Sequence, residues 1–151
     1  MMQLKVAIKI AFKHDNHIMF EEFIDGTEVS CGVYYNNAVT SLPVTEIVTD
    51  NEFFDYEAKY EGKSNEITPA RIDKNIYSKI KNLTEKIYSE LNLKGICRVD
   101  YIIKNNLPYI IEINTVPGLS KESIIPKQLK CMNISLSEIF KISIENATFN
   151  E

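Results

Sequence analysis

Apolar residues recur along the chain with two different periods, and each period predicts one kind of element. Over residues 4–12 they return every three or four positions, which predicts an amphipathic helix near the start of the chain. A longer stripe with the same spacing predicts a helix that faces a core, built on Ile72, Ile76, Ile80, Leu83, Ile87 and Leu91. Thr68 followed by Pro69 predicts the start of this helix, with threonine as the N-cap.

Alternating apolar and polar residues predict strands at 17–24, 28–35, 38–48, 96–103 and 108–114. Asn36-Asn37 predicts a hairpin turn, and Gly26 predicts a turn because glycine adopts positive φ at little cost. A Ser135–Glu138 capping box predicts a last helix containing Leu136, Ile139, Phe140 and Ile144. The elements together predict an α+β unit, an antiparallel sheet with helices packed on one side.

Two segments need separate treatment: one has no apolar period, and the other combines an alternating pattern with charged residues. The segment 50–70 has no period but several aromatic residues, which favours a functional loop over disorder. The last two strands predict a hairpin closed by a three-residue turn, in which Asp100 pairs with Glu112 and Arg98 with Asn114. Its odd-numbered residues then form a core face: Val99, Tyr101, Ile103, Tyr109, Ile111 and Ile113.

The other face of this hairpin carries the candidate chemistry. Asp100 and Glu112 would repel each other across a ladder, and a hard divalent cation would reverse that repulsion. Aspartate, glutamate and asparagine supply the oxygen ligands that Mg²⁺ prefers, so Asn114 completes a candidate set. Arg98 beside them can hold an anion through two hydrogen bonds. An amphipathic strand pair with a solvated polar face explains the same pattern without any ligand.

Composition narrows the class of protein. The net charge is −4 and there is no basic run, which argues against a nucleic-acid partner. No apolar stretch approaches a membrane span, so no membrane partner is expected. Three widely spaced cysteines predict buried free thiols in a reducing cytosol, and hence a cytoplasmic protein. None of the five glycines forms a phosphate-cradling loop, and His14 and His17 are expected to be solvated.

A set of motifs, in order, resembles one family. The stretches are "EEFIDGTEVSCGV", "LPVTEI", "FFDYEAKY", "EITPA", "RVDYII" and "EINTVPGLSKESIIP". Together they closely resemble the C-terminal half of D-alanine–D-alanine ligase, an ATP-grasp enzyme of bacterial cell-wall peptidoglycan synthesis. The resemblance implies that residues 25–151 form the C-terminal ATP-grasp lobe, with a closing loop at about 50–70. Residues 1–24 would then be the end of the central ATP-grasp lobe and a linker strand.

The resemblance also implies roles for single residues. ATP as a substrate would be held by a nucleotide-binding set, namely Glu21, Glu22, Phe23, Ile24, Glu28, Phe54 and Lys59. The metal ligands for two Mg²⁺ or Mn²⁺ ions would be Asp100, Glu112 and Asn114. Arg98, the backbone N–H of Gly118 and the loop residue Tyr60 would serve catalysis. Ser123 and Ile124 would contact the carboxylate of the second D-alanine.

The chain departs from the family in length and leaves alternatives open. It begins at the helix that follows the family's glycine- and serine-rich loop, so a truncated C-terminal fragment, inactive alone, is expected. ATP and D-alanine are the expected ligands, and a separately encoded amino-terminal half is a candidate partner. Full-length relatives would be homodimers, which leaves the oligomeric state of this chain open. The competing hypotheses are a non-catalytic binding module and a D-alanine–D-lactate or D-alanine–D-serine ligase, against which Tyr60 argues.

Overall fold

A six-stranded antiparallel sheet forms the centre of the computed structural model, which describes residues 2–49 and 64–148. The strands are β1 (Thr27–Asn36), β2 (Ala38–Ser41), β3 (Thr45–Thr49), β4 (Ser64–Ile67), β5 (Cys97–Lys104) and β6 (Leu107–Asn114). Their order is β4-β3-β1-β5-β6, and β2 pairs with the far end of β1. The antiparallel sheet predicted from the sequence is therefore confirmed, and β4 adds a strand inside the predicted loop.

Helices pack on both faces of this sheet. The helices that the structure describes are α1 (Met2–Ala11), α2 (Lys74–Glu90), α3 (Ile124–Cys131) and α4 (Leu136–Thr148). Of these, α1 is not part of the described cores of the sheet. The α2 helix packs on one face, where Ile76 and Ile80 join a core with Cys31 and Tyr101. The other face belongs to α3 and α4, whose apolar contacts include Leu42, Ile125, Leu129 and Ile139. The prediction of helices on one side was wrong, because β1 is buried on both faces from Val29 to Tyr34.

The α2 helix begins later than predicted. Asp73 is its N-cap, and the carboxylate accepts hydrogen bonds from the backbone N–H groups of Asn75 at 2.8 Å and Ile76 at 3.3 Å. Thr68 instead shares a hydroxyl–hydroxyl bond of 2.6 Å with Thr45. The segment around Pro69 thus extends the pairing of β4, and the cap predicted at Thr68 was wrong because Asp73 supplies a stronger acceptor.

The buried side of α2 also differs from the predicted stripe. Ile76 and Ile80 are buried as expected, while Leu91 is 57% exposed. Thr84 and Tyr88 take its place in the interior. Thr84 tolerates burial because its hydroxyl bonds to the backbone oxygen of Ile80 at 2.8 Å and to the Tyr101 hydroxyl at 2.7 Å.

Gln128 completes the sheet where the strand predicted at 38–48 is interrupted. That strand divides into β2 and β3 around Pro43, which leaves Cys31 and Gly32 of β1 without a strand partner on this edge. The wholly buried Gln128 side chain accepts from the Gly32 N–H at 3.1 Å and donates to the Ser30 carbonyl at 3.0 Å. Its Nε2 also lies 3.0 Å from Thr45 Oγ1. A carboxamide here takes the place of a backbone peptide group.

The first 26 residues differ most from expectation. Helix α1 is confirmed, yet Leu4 on it and Phe12, which directly follows it, are more than half exposed. The predicted strand at 17–24 is wrong, because no strand of the described chain pairs with it. Gly26 does not adopt positive φ; a side chain there would collide with the carbonyl oxygen of Ile103, so close approach is what requires glycine.

Three further expectations concern cysteines, caps and membranes. Cys31 and Cys97 are buried free thiols as predicted, whereas Cys131 is exposed. The capping box is confirmed, with Ser135 Oγ 2.7 Å from Glu138 Oε2 and accepting from the Glu138 N–H at 3.2 Å. Across the residues that the structure describes, no helix has the length and apolar character that spanning a membrane requires.

Candidate functional site

The β5–β6 hairpin has the predicted register at its open end and a different turn at its closed end. Arg98 pairs with Asn114 and Asp100 with Glu112, as the sequence predicted. The turn consists of Asn105-Asn106, whose φ values of 52° and 60° suit a two-residue hairpin turn. The three-residue turn was therefore wrong. A bulge between Asp100 and Tyr101 absorbs the difference of one residue.

This bulge changes which residues of β6 face the core. Beyond it, Tyr101 pairs with Ile110, so Ile111 has no partner of its own on β5. Tyr109 and Ile111 are 40% and 45% exposed, and the prediction that both belong to the core was wrong. Val99 and Tyr101 are wholly buried, and Ile103 and Ile113 pack against the same core. The predicted core face is therefore correct for β5, and it is wrong for β6 at the bulge and on its turn side.

The polar face of the hairpin gathers its side chains around Asp100. The Arg98 guanidinium binds this carboxylate bidentately, with Nε 2.9 Å from Oδ1 and Nη2 2.8 Å from Oδ2. Asn114 Nδ2 donates to Asp100 Oδ2 at 3.0 Å and to Glu112 Oε1 at 3.1 Å. From the neighbouring strand β1, the buried Ser30 hydroxyl donates to Asp100 Oδ1. We call Ser30, Arg98, Asp100, Glu112 and Asn114 the Asp100 cluster.

The charges of the cluster are largely withdrawn from water. The side chains of Arg98 and Asp100 are 16% and 9% exposed, whereas Glu112 is 47% exposed. Burial acts to lower the pKa of Arg98, but the hydrogen bond and charge of Asp100 outweigh it and raise that pKa. Arg98 also lies 3.9 Å from Glu112 through Nη2. The guanidinium therefore remains charged and neutralises part of the carboxylate pair.

The donor set fits a hard divalent cation. Two carboxylates and one amide offer oxygen atoms, which Mg²⁺ and Mn²⁺ prefer. The described residues contain no group of three His, Cys, Asp or Glu side chains that could hold a metal. A cation here would rely on Asp100, Glu112 and the amide oxygen of Asn114. In the structure Asn114 points its amide nitrogen at both carboxylates, which joins them without a metal.

The turn after β6 brings two further predicted residues together. A Cβ on Gly118 would lie 2.8 Å from Ser123 Oγ, so a larger residue here would require the Ser123 side chain to shift. Ser123 Oγ is 2.8 Å from Ser120 Oγ, and the Ser123 N–H donates to the Ser120 carbonyl at 2.9 Å. Ser123 precedes α3 but makes no side-chain cap, so the first backbone N–H groups of α3 keep donor capacity. Ile124 itself is buried.

The predicted nucleotide residues are only partly described. Glu28 lies on the same face of β1 as Ser30, because alternate residues of a strand share a face, and it pairs across from Ile102. Glu21, Glu22 and Phe23 are exposed and Ile24 is half-buried, in a segment outside the strands. Phe54, Lys59 and Tyr60 lie outside the described residues. The roles assigned to these residues remain predictions.

Neither Ser30 nor the helix α3 was predicted from the sequence. Ser30 sits opposite Asp100 on β1, and the pairing of β1 with β5 is the signal that would have identified it. The α3 helix spans eight residues and contains Pro126 in its first turn, where proline is tolerated. Such a short helix shows too little periodicity to be predicted from spacing.

Comparison with known proteins identifies relatives along nearly the whole chain. The family "D-ala D-ala ligase C-terminus" matches residues 1–145. A D-alanine–D-alanine ligase of Flavobacterium johnsoniae is 52% identical over 144 residues, which is 95% of this chain and 45% of that protein. One from Christiangramia forsetii is 49% identical over 142 residues, or 93% and 44%. The chain thus spans about half the length of the curated relatives it matches.

Solved structures show the same fold. The D-alanine–D-alanine ligase of Bacillus anthracis superposes with a TM-score of 0.77 at 28% identity, covering 94% of this chain and 46% of that one. The VanG D-Ala:D-Ser ligase of Enterococcus faecalis gives 0.79 at 32% identity, covering 96% and 43%. The sheet flanked by helices is therefore the architecture of the carboxy-terminal part of these enzymes.

Proposed function

This chain belongs to the D-alanine–D-alanine ligase family through its C-terminal part, and we propose that it supplies the phosphate-binding side of a D-alanine–D-alanine ligase. The reaction joins two D-alanine molecules at the expense of ATP and yields D-alanyl-D-alanine, ADP and phosphate for peptidoglycan synthesis. An acyl phosphate of the first D-alanine is its intermediate. The observation that carries the proposal is the Asp100 cluster at the end of the hairpin, followed along the chain by the Gly118–Ser123 turn.

Charge neutralisation is the first task of such a site. Transfer of the γ-phosphoryl group crowds anionic oxygens, and divalent cations on Asp100, Glu112 and Asn114 would neutralise them. Arg98 adds a planar, permanently charged donor set on the same face, which suits phosphate oxygens. Glu21–Ile24, Glu28, Phe54 and Lys59 are the proposed contacts to the nucleotide.

Stabilising the amine attack is the second task. When the amine of the second D-alanine attacks the acyl phosphate, negative charge develops on an oxygen. Arg98 and the N–H of Gly118 are the proposed donors to that oxygen. The uncapped N-terminus of α3, with Ser123 and Ile124, is the proposed site for the carboxylate of the second D-alanine. Tyr60, in the proposed closing loop of about 50–70, is a further residue proposed to serve catalysis.

The setting of the reaction follows from its reactants. We place the protein in the cytoplasm, where ATP is available and where the buried thiols Cys31 and Cys97 stay reduced. Residues 1–24 are proposed as the end of the central ATP-grasp lobe, and 25–151 as its C-terminal lobe. An amino-terminal half, in the same or a separate chain, would complete the site for the first D-alanine.

Calorimetry tests the proposed function directly. Mg²⁺–ATP titrated into the chain is expected to give a binding heat that the Asp100→Ala variant loses. Glu46→Ala is the matched control, because Glu46 also pairs with an arginine but lies on β3. Loss of heat in Asp100→Ala together with its retention in Glu46→Ala supports the site. Equal heats in the chain and in Asp100→Ala would remove the proposal.

Two other functions are discriminated by product analysis. The 32% identity to a D-Ala:D-Ser ligase favours D-serine as an alternative second substrate. Offering D-alanine, D-serine and D-lactate as competing acceptors identifies the preferred one by the product mass. A non-catalytic binding module would bind Mg²⁺–ATP yet release no ADP with any acceptor, even when supplied with an amino-terminal half.

A further inference from the structure

The Asp100 carboxylate already carries a full set of hydrogen-bond donors. Oδ1 accepts from the Ser30 hydroxyl and from Arg98 Nε at 2.9 Å. Oδ2 accepts from Arg98 Nη2 at 2.8 Å and from Asn114 Nδ2 at 3.0 Å. An ionised carboxylate offers about four acceptor sites. A cation therefore reaches Asp100 only when one of these donors leaves.

Arg98 is the charged donor that a cation would displace, and the Asn114 amide would also have to turn so that its oxygen, and not Nδ2, faces the cation. Ser30 and Asn114 are neutral, whereas the guanidinium is charged and would be repelled by a second cation. Arg98 Nη2 also lies 3.9 Å from Glu112 Oε1, so the guanidinium reaches both carboxylates of the candidate cation site. Arg98 thus occupies the position between Asp100 and Glu112 that a divalent cation bound to both carboxylates would take.

We propose that Arg98 is a placeholder cation, which neutralises Asp100 and Glu112 until a divalent cation and an anionic ligand bind together. The inference rests on the proposed function, since it assumes that the cluster takes a divalent cation with a nucleotide phosphate. A cation alone has to displace Arg98 and binds weakly. A phosphate accepts the released guanidinium through two hydrogen bonds, so each ligand strengthens the binding of the other.

A second arginine provides a matched control. Arg71 binds Glu46 with the same fork, Nε 2.9 Å from Oε2 and Nη2 3.0 Å from Oε1. The Arg71 side chain is 63% exposed, against 16% for Arg98. Arg71→Met and Arg98→Met change the net charge of the protein equally. A difference between them therefore reports the position of the arginine and not the overall charge.

The experiment is a titration of the full chain with Mn²⁺, followed by the paramagnetic resonance signal of the free ion. Without nucleotide, Arg98→Met is expected to bind Mn²⁺ about tenfold more tightly than the unaltered chain. Arg71→Met is expected to match the unaltered chain. With ADP present, the affinity of the unaltered chain for Mn²⁺ rises, and this rise is expected to be at least about fivefold smaller in Arg98→Met.

The outcomes separate this inference from the proposed function. If the chain binds Mn²⁺ and ADP but Arg98→Met shows unchanged affinity and coupling, the placeholder role is wrong and the nucleotide site stands. If no variant binds either ligand, both are wrong. Circular dichroism checks that each variant is folded. Should Arg98→Met unfold, Arg98→Gln decides, because glutamine removes the positive charge but keeps a hydrogen-bond donor for Asp100, and unchanged coupling in it overturns the role of Arg98.

Discussion

Two buried polar groups meet on strand β1 and differ in what satisfies them. Gln128 bonds to the Gly32 N–H, the Ser30 carbonyl and the Thr45 hydroxyl; we call this set the Gln128 cluster. The Asp100 cluster takes the Ser30 hydroxyl and otherwise side chains of its own hairpin. Gln128 is wholly buried and neutral, while Asp100 is charged and lies beside the 47% exposed Glu112.

The difference shows how one strand can both hold a helix in place and support a candidate ligand site. Backbone donors and acceptors cannot turn away, so the Gln128 cluster has one stable arrangement. Side-chain donors can rotate and be replaced, so the Asp100 cluster can exchange partners for a ligand. Because Gln128 fixes α3 on β1, it also fixes the start of α3 near the sheet that carries Asp100.

The largest expected effect is the loss of the Gln128 carboxamide. Gln128→Leu leaves the Gly32 N–H and the Ser30 carbonyl buried without this partner, at about 1–3 kcal/mol each. Urea denaturation is expected to show a free energy of unfolding lower by about 3–5 kcal/mol. Lys130→Leu, at an exposed position of the same helix, is the control and should change stability by less than about 0.5 kcal/mol. If Gln128→Leu lowered the free energy of unfolding no more than the control does, the Gln128 cluster would not be a stabilising feature.

Crowding the same cluster is expected to cost somewhat less. A Cβ at Gly32 would lie 2.6 Å from Gln128 Oε1 and from Ile125 Cδ1, so Gly32→Ala should destabilise by about 2–3 kcal/mol. Gly95→Ala is the comparison, because it meets no neighbour and suffers only from its φ of +65°, at about 1–2 kcal/mol. Thermal unfolding of both variants measures the difference. A larger loss in Gly95→Ala would contradict tight packing of α3 on β1.

Removing the charge of Asp100 tests the exchangeable cluster. Asp100→Asn weakens the bonds to Arg98, but Glu112 Oε1 at 3.9 Å stays available to the guanidinium. We therefore expect a loss of only about 1–2 kcal/mol in urea denaturation, below the range for a fully buried pair. A loss as large as that of Gln128→Leu would show that the cluster is structural and not poised for exchange.

The smallest expected effect is the contribution of the Arg71–Glu46 ion pair to stability at acidic pH. The hydrogen bond from Arg71 holds the pKa of Glu46 below the ordinary value of a glutamate side chain. A lowered pKa means that the pair stabilises the fold above the unfolded pKa and that this contribution is lost as pH falls through the folded pKa. Below about pH 4.5 the free energy of unfolding should therefore decrease less in Glu46→Gln than in the unaltered chain, by a difference of less than about 1 kcal/mol. An unchanged acid profile in this variant would contradict the pKa shift.

Local patterns in the sequence were sufficient for one cluster and insufficient for the other. Alternation within one hairpin placed Arg98, Asp100, Glu112 and Asn114 on one face in the correct register. It could not indicate the bulge, since that depends on the positive φ of Asn105 and Asn106. The Gln128 cluster depends on where β2 ends and β3 begins, a tertiary feature that no local period encodes.

Other differences have the same origin. The alternation at 17–24 is typical of a strand, but a strand needs a partner for its hydrogen bonds and the described chain supplies none. Thr68 was predicted as the N-cap of α2. The hydrogen bond from the Ala70 N–H to the Val44 carbonyl at 2.8 Å holds this segment beside the sheet, and Asp73 caps the helix instead. In each case contacts between residues distant in sequence determine which of the locally favoured elements forms.

The bonds of the two clusters also span very different lengths of chain. Asn114 and Asp100 are 14 positions apart, whereas Gln128 and Ser30 are 98 apart. Closing a short loop costs less entropy and takes less time than closing a long one. As the chain folds, the charged hairpin can therefore form early from its own residues. Its buried support from Ser30, and the attachment of α3 through Gln128, come with the late docking of β1 and the C-terminal helices.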